Sequence, residues 1–364
     1  MEERTMTNAL ITGWGMYAPE RVLTNHDLSR MVDTSDEWIV SRTGIRERRV
    51  AAPDETTKTL SVHASRDALA VAGLEPSDID LVIVGTCSPD YYMPATAVLV
   101  AHELGAHRAA GFDVMAACSG FVFSLATGTA YVRSGMYRNV LVIGVELLTR
   151  FLDYTDRNTC VLFGDGAGAV VLSAADGPGG LLGLDMFSDG SGAEGIIFPA
   201  GGSACPTTPQ TIAEGGHFVH MAGKDVYRYA TRQLAESASA ALRDAGLTVE
   251  DVDQFLFHQA NLRIIESVQK QLGIPDEKTY LNIEKYGNTS AASVPMALVE
   301  AVADGRIKEG DRLLMVAFGA GYTAGAAVVE WTADPTRAFT APGSQTRLGK
   351  PRRAEAEFVA TPVG

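Results

Sequence analysis

No run of apolar residues in this sequence approaches the roughly 18 that a membrane-spanning helix needs. The opening stretch, MEERTMTNALITGWG, is acidic and lacks the apolar core of an export signal. The four cysteines, Cys87, Cys118, Cys160 and Cys205, form no CxxC pair and no metal-ligand spacing. Neither a disulfide scaffold nor a cysteine-based metal site is expected, and reduced thiols in the cytoplasm are. Positive charge is also short: 30 Lys and Arg stand against 44 Asp and Glu, a net of −14. Nucleic-acid phosphates demand clustered cations, so no nucleic-acid partner is expected, and no membrane partner either. A small local basic patch remains compatible with this balance.

What the chain does have is an ordinary globular mixture, 46% apolar and 20% charged, over 364 residues. Short apolar runs at Leu81–Val84, Val140–Ile143, Ala169–Leu172, Gln254–Phe257 and Leu313–Phe318 read as buried strands. Helical patterns lie between them. In Val226–Ala245 the positions Val226, Ala230, Leu234, Ala238, Ala241 and Ala245 fall on one face. The alternation predicts a layered α/β fold.

Two ordered pairs share one offset: AGLEPSDIDLVIVG from Ala72 and AGLTVEDVDQFLFH from Ala245, then RNVLVI from Arg138 and DRLLMV from Asp311, each 173 apart (245 − 72 and 311 − 138). A third pair, FGDGAGAVVLS from Phe163 and FGAGYTAGAAVVEW from Phe318, is 155 apart, which places 18 extra residues of the first copy around Thr149–Cys160. The pattern predicts a duplicated unit. Residues 1–185 form the first half and 218–331 the second, with the Gly-, Ser-, Pro- and Thr-rich stretch 186–217 as a connecting surface loop. Residues 332–364, with Lys350, Arg352 and Arg353, read as a disordered tail.

Cys118 stands in FDVMAACSGFVF, where a strand-like run ends in small residues and a helix pattern begins near Ser119. A helix N-terminus offers free N–H groups and partial positive charge, which lower a thiol's pKa. On local context alone a nucleophile and a small buried core thiol fit equally well. Cys87 follows a strand and stands near any site at that sheet end, Cys160 reads as core, and Cys205 lies in the Pro-rich loop. His258 closes the strand QFLF just before a helix, where α/β folds place site residues, although a strand-end histidine bonded to backbone looks the same in sequence. Asn288 lies in YGNTS, and its simplest reading alone is a helix cap. FGAGYTAG is followed by a strand, so it is not a dinucleotide loop. Its glycines, Gly319 and Gly321, let backbone N–H groups approach a ligand closely, as an oxyanion hole requires.

Six motifs in order, VDTSDEWIVSRTGIRERR (32–49), AACSGF (116–121), FGDGAGA (163–169), FHQANLRII (257–265), YGNTSAASVP (286–295) and FGAGYTAGAAVV (318–329), span nearly all of 7–331. Together they resemble the β-ketoacyl-acyl-carrier-protein synthase III family, the initiating condensing enzymes of bacterial fatty acid synthesis. The resemblance implies a thiolase-like, duplicated five-layer αβαβα fold and a homodimer. It also implies a catalytic set of Cys118, His258 and Asn288, with the backbone N–H groups of Cys118 and Gly321 as oxyanion hole. Trp38, Arg42 and Arg157 then hold the nucleotide of CoA, and Arg228, Arg263 and Lys270 receive the carrier protein. Met93 ends the partner's acyl pocket, in place of the bulky aromatic of some members. The implied substrates are a short acyl-CoA and malonyl-acyl-carrier protein, without metal or other cofactor. A starter-unit synthase or acyltransferase of secondary metabolism is the alternative with the same fold, and a CoA-ester binding protein with a dead site is the non-enzymatic one.

Overall fold

The computed structural model describes residues 7–337. The expected tail lies outside the described residues from 338 on. Nine strands build two main sheets. The first contains β1 (Asn8–Tyr17), β2 (Leu81–Gly85), β3 (Ala110–Val114), β4 (Asn139–Leu147) and β5 (Asp165–Ala175), in the order β1-β5-β4-β2-β3. The second contains β6 (Gly180–Phe187), β7 (Gln254–Phe257), β8 (Arg312–Gly319) and β9 (Thr323–Glu330), in the order β7-β8-β9-β6. All nine residues of β4 are buried, as expected of a strand covered on both faces.

The repeat is visible in the topology. Adding 173 to Leu81 and Asn139, where β2 and β4 begin, gives Gln254 and Arg312, where β7 and β8 begin. Each of these pairs is parallel, and each is followed outward by two antiparallel neighbours. The extra segment of the first copy is the stretch between β4 and β5, whose counterpart between β8 and β9 is only the turn Ala320–Tyr322.

The expected division at 185 is corrected by β6. This strand pairs with β9 from Gly180↔Glu330 to Phe187↔Ala324, so it belongs to the second sheet. The chain changes sheets at the glycine-rich turn before it, where Gly177, Gly179 and Gly180 all have positive φ. The run LLGLDMF reads as a strand, but nothing in its pattern says which sheet it joins. Residues 186–217 are more than a loop. They include a 3-10 turn (Gly190–Gly195), a short helix (Pro209–Ala213), and Ile196–Ile197 paired with His220–Met221.

Seven helices matter for the layering: α1 (Asp36–Thr43), α2 (Thr57–Ala72), α3 (Thr96–Leu104), α4 (Gly120–Arg133), α5 (Gly223–Ala245), α6 (Leu262–Leu272) and α7 (Ser293–Ala303). Helices α4 and α7 touch both sheets and form the middle layer. Helices α2 and α3 cover the outer face of the first sheet, and α5, with α6 beside it, covers the second. The arrangement is five-layered, αβαβα. Burial follows from it: every residue from Ser293 to Val302 in α7 is buried, while α5 buries the stripe from Val226 to Ala241. One close approach brings a turn of the second half against the first sheet. A Cβ on Gly144 of β4 would stand 2.3 Å from the carbonyl oxygen of Ala291, so glycine there lets the turn Ser290–Ala292 lie against the strand.

Candidate active site

The turn that carries Cys118 lies between a strand and a helix, as the sequence pattern placed it. Ala117–Ser119 form a single 3-10 turn after β3 and just before α4. The turn is pinned to the second half of the molecule. Ser119 Oγ donates to the carbonyl of Thr323 at 3.1 Å, and Thr323 Oγ1 donates to the carbonyl of Ala116 at 3.0 Å. At the end of β8, a Cβ on Gly319 would come within 2.6 Å of the Cys118 nitrogen, so only glycine admits this contact. Among the described residues, three other than glycine adopt left-handed backbone: Ala117 (φ 47°), Ser290 (φ 49°) and Tyr322 (φ 44°). They lie beside Cys118, in the turn that carries the Ser290 hydroxyl to it, and next to Gly321. Such strain costs on the order of 1–3 kcal/mol per residue and collects where function demands a geometry.

The expected lowering of the Cys118 pKa is not found. Burial pushes the thiol up to about 12; the Ser290 hydroxyl, 3.3 Å from Cys118 Sγ, opposes the rise and the Glu146 carboxylate adds to it. Desolvation of the sulfur is the largest cause, so the site holds a thiol rather than a thiolate at neutral pH.

His258 and Asn288 join Cys118 along one cavity of about 1620 Å³. Burial drives the His258 pKa down to about 3, so the imidazole is neutral. Its Nδ1 lies 2.6 Å from Ser293 Oγ, and that oxygen accepts the backbone N–H of Gln259 at 3.3 Å. Among the described residues the Ser293 proton has no acceptor other than Nδ1, which makes Nδ1 the acceptor and leaves Nε2 as the N–H donor. Asn288 is not a cap: α7 begins after Ala292 with no side-chain cap bond. Instead its Oδ1 accepts the Ser290 N–H at 2.8 Å, and its own backbone is tied to Leu162 and Gly164. With Oδ1 engaged, the Nδ2 group is the end presented to the cavity. The site therefore holds a thiol and two neutral N–H donors.

Two family models match the chain: 3-oxoacyl-[acyl-carrier-protein] synthase III over residues 112–190, and its C-terminal counterpart over residues 242–331. The β-ketoacyl-[acyl-carrier-protein] synthase III of Roseiflexus castenholzii is 53% identical over 325 residues, 89% of this chain and 98% of the relative. The chain belongs to the β-ketoacyl-[acyl-carrier-protein] synthase III family. Like its relatives, this chain is an acyltransferase-type condensing enzyme with the thiolase fold. Among solved structures, the 3-oxoacyl-[acyl-carrier-protein] synthase III of Aquifex aeolicus is 42% identical, with a TM-score of 0.82, over 89% of this chain and 100% of that one. The priming β-ketosynthase of the R1128 polyketide pathway is 39% identical, with a TM-score of 0.85, over 92% and 99%.

Around the synthase III cavity the other expected residues divide. Trp38, Arg42 and Arg157 all line it, and both guanidinium groups lie over the Trp38 ring, at 4.8 Å and 5.2 Å from its centre. Arg228 and Arg263 line it as exposed side chains; Lys270 on α6 is exposed but does not. Lys224, which sequence reasoning passed over, does. Met93 is 84% exposed and does not line its own cavity, whereas Tyr91 and Tyr92, 62% and 86% exposed, stand at its edge. Cys87 lines the cavity and Cys160 is fully buried; all four thiols are free. Sequence reasoning also missed Glu146, Ser290 and Ser293. Glu146 reads as one polar residue in the apolar run LVIGVELL, and the two serines read as helix-start residues.

Proposed function

We propose that this chain joins a short acyl-CoA to malonyl-acyl-carrier protein by decarboxylative Claisen condensation, with Cys118 carrying the acyl group between the two half-reactions. The observation that supports this most is the convergence of one half-buried thiol with two oriented, neutral N–H donors on a single long cavity. Cys118 gives up its proton as its sulfur attacks the thioester carbonyl. The backbone N–H groups of Cys118 and Gly321 take the oxyanion, CoA leaves, and an acyl-enzyme remains. Malonyl-carrier protein then loses carbon dioxide. His258 Nε2–H and Asn288 Nδ2–H donate to its thioester oxygen and stabilise the enolate, which attacks the acyl carbon. Neutral donors suit this step, since burial disfavours an imidazolium.

Trp38, Arg42 and Arg157 hold the CoA nucleotide, and Arg228, Arg263 and Lys270, joined by Lys224, meet the acidic carrier protein. The exposed apolar run Tyr91–Met93 supports pairing with a second copy, where Met93 ends the partner's acyl pocket. Among the described residues no helix is long and apolar enough to cross a membrane; we place the enzyme in the cytoplasm with its thioester substrates, and assign it no cofactor.

The similarity to a polyketide priming synthase keeps a second reading: the same chemistry, delivering a starter unit to secondary metabolism. Product analysis with malonyl-carrier protein and a panel of acyl-CoAs tests both. Appearance of 3-ketoacyl-carrier protein supports condensation, and the loaded starter separates the pathways. Transfer without loss of carbon dioxide would overturn it.

A further inference from the structure

Condensation by these residues leaves the thiol proton without a destination, because His258 is committed as a neutral donor. The structure offers one beside Cys118. Glu146, in β4, has no exposed surface. Its carboxylate is met by four donors, none of them cationic. Oε1 accepts from the Cys87 backbone N–H at 3.0 Å, the Cys87 thiol at 3.2 Å and the Ser290 hydroxyl at 3.3 Å; Oε2 accepts from Ser88 Oγ at 2.6 Å. The Ser290 hydroxyl lies equally close, 3.3 Å, to Cys118 Sγ. One hydroxyl therefore bridges the nucleophile and a buried acid. Its backbone is held left-handed to do so, and Gly144 clears the space that brings it there.

We propose that Ser290 and Glu146 are the proton path of Cys118, with Glu146 holding the thiol's proton for the lifetime of the acyl-enzyme. The S–H bond of Cys118 breaks as its sulfur bonds to the acyl carbon. The proton passes to Ser290 Oγ, whose own proton moves to Glu146. The acyl–sulfur bond to CoA breaks, and CoA leaves as a thiolate that takes a proton from solvent. In the second half-reaction the enolate carbon bonds to the acyl carbon. Cys118 Sγ leaves with its electron pair and recovers the proton from Glu146 through Ser290. No oxidant, reductant or further reactant is needed.

The environment suits an acid that changes charge once per turnover. Burial pushes the Glu146 pKa up to about 7, and the hydroxyl, amide and thiol bonds only partly offset it. Both protonation states are then accessible at neutral pH, the condition for an effective proton acceptor. The titratable groups facing it are the Cys87 thiol, from the loop after β2, and the Cys118 thiol, from the nucleophile turn; from the turn before α7 it meets Ser290, which does not titrate. On the adjoining strand β5, Asp165 instead directs its oxygens to the backbone of Ala51 and to Thr149.

This inference rests on Cys118 being the acyl carrier, and the test separates the two. The rate of acyl transfer from acetyl-CoA to Cys118 is measured by rapid quench and intact mass across the neutral pH range. The wild type should rise through an inflection near pH 7. Glu146→Gln should lose that inflection and slow transfer on the order of 10²-fold, and Glu146→Asp, which keeps an acid, should recover part of both. Ser290→Ala should slow transfer similarly, and the double variant should be no slower than either single one, since members of one path are not additive. A protonated-carboxyl infrared band should appear on acylation of the wild type and be absent from Glu146→Gln. Should Glu146→Gln fail to fold, Ser290→Ala carries the kinetic test. Unchanged rate and pH profile in the foldable variants, or losses that multiply in the double variant, would overturn the path while leaving the acyl carrier intact. Absence of any wild-type adduct would instead overturn the acyl-carrier reading.

Discussion

Replacing Gly319 by alanine tests whether the register between β8 and the turn carrying Cys118 sets the reaction geometry. The added Cβ would meet the Cys118 nitrogen at 2.6 Å, Ala117 Cβ at 3.0 Å and Thr323 Oγ1 at 3.1 Å. Ordinary contact begins at 3.4 Å, so the turn must retreat by 3.4 − 2.6 = 0.8 Å. It has little freedom to do so, because Ala116, Ser119 and Thr323 are mutually hydrogen-bonded. A displacement near 1 Å of a reacting atom costs about 10²-fold in rate, and overpacking of this kind costs about 1–3 kcal/mol in stability. In the proposed mechanism both half-reactions use Cys118 Sγ, so acyl loading by intact mass and condensation by product formation should fall together, each by about 10²-fold. Gly105→Ala, just past the end of α3, is the control: its Cβ meets nothing within 4 Å, so it introduces backbone strain at φ 92° without pushing on Cys118. If Gly319→Ala loads acyl groups at the wild-type rate, the argument from steric register is wrong.

Ser293→Ala removes the hydroxyl that directs the His258 tautomer; condensation should slow about 5- to 150-fold, the worth of a buried hydrogen bond of roughly 1–3 kcal/mol, while loading of Cys118 stays near wild type, as single-turnover assays of each half-reaction would show. For Glu146 the sign follows from a pKa raised from its ordinary 4.5 to about 7: the stability of the neutral form is complete below 4.5 and lost as pH rises through 7. That difference is worth roughly 3 kcal/mol, so thermal melts of Glu146→Gln should lie above wild type at pH 8 and converge with it below pH 4.5. Arg263→Glu should raise KM for malonyl-carrier protein and leave acyl-CoA loading nearly unchanged, with a salt dependence weaker than that of the native reaction.

Much of the fold was legible because it depends on periodicity. The strands Leu81–Gly85, Gln254–Phe257 and Arg312–Gly319 are short apolar runs, and their spacing already carried the duplication. The strand Gly180–Phe187 was legible as a strand but not as a member of the second sheet, since partner choice is a long-range property absent from a local pattern. The site shows the same division. Cys118 and His258 sit at strand ends, where the chain pattern marks them. The thiol's state was misjudged because a helix terminus is visible in sequence and the depth of burial is not. Asn288 looked like a cap because Asn-Thr-Ser before a helix usually is one, whereas its partner is the backbone of the left-handed Ser290. Glu146 was invisible: one acid in an apolar run carries no signal until β4 is seen to run beside the nucleophile turn.

The most direct test of the central claim follows one acyl group through the protein. The enzyme is incubated with labelled acetyl-CoA, its intact mass and peptide map are taken, and malonyl-carrier protein is then added. One acyl group should appear on the peptide bearing Cys118, vanish on addition of malonyl-carrier protein, and reappear in 3-ketoacyl-carrier protein; Cys118→Ala should show none of these steps. An adduct that persists in Cys118→Ala, or one on Cys118 that malonyl-carrier protein cannot discharge, would contradict the account.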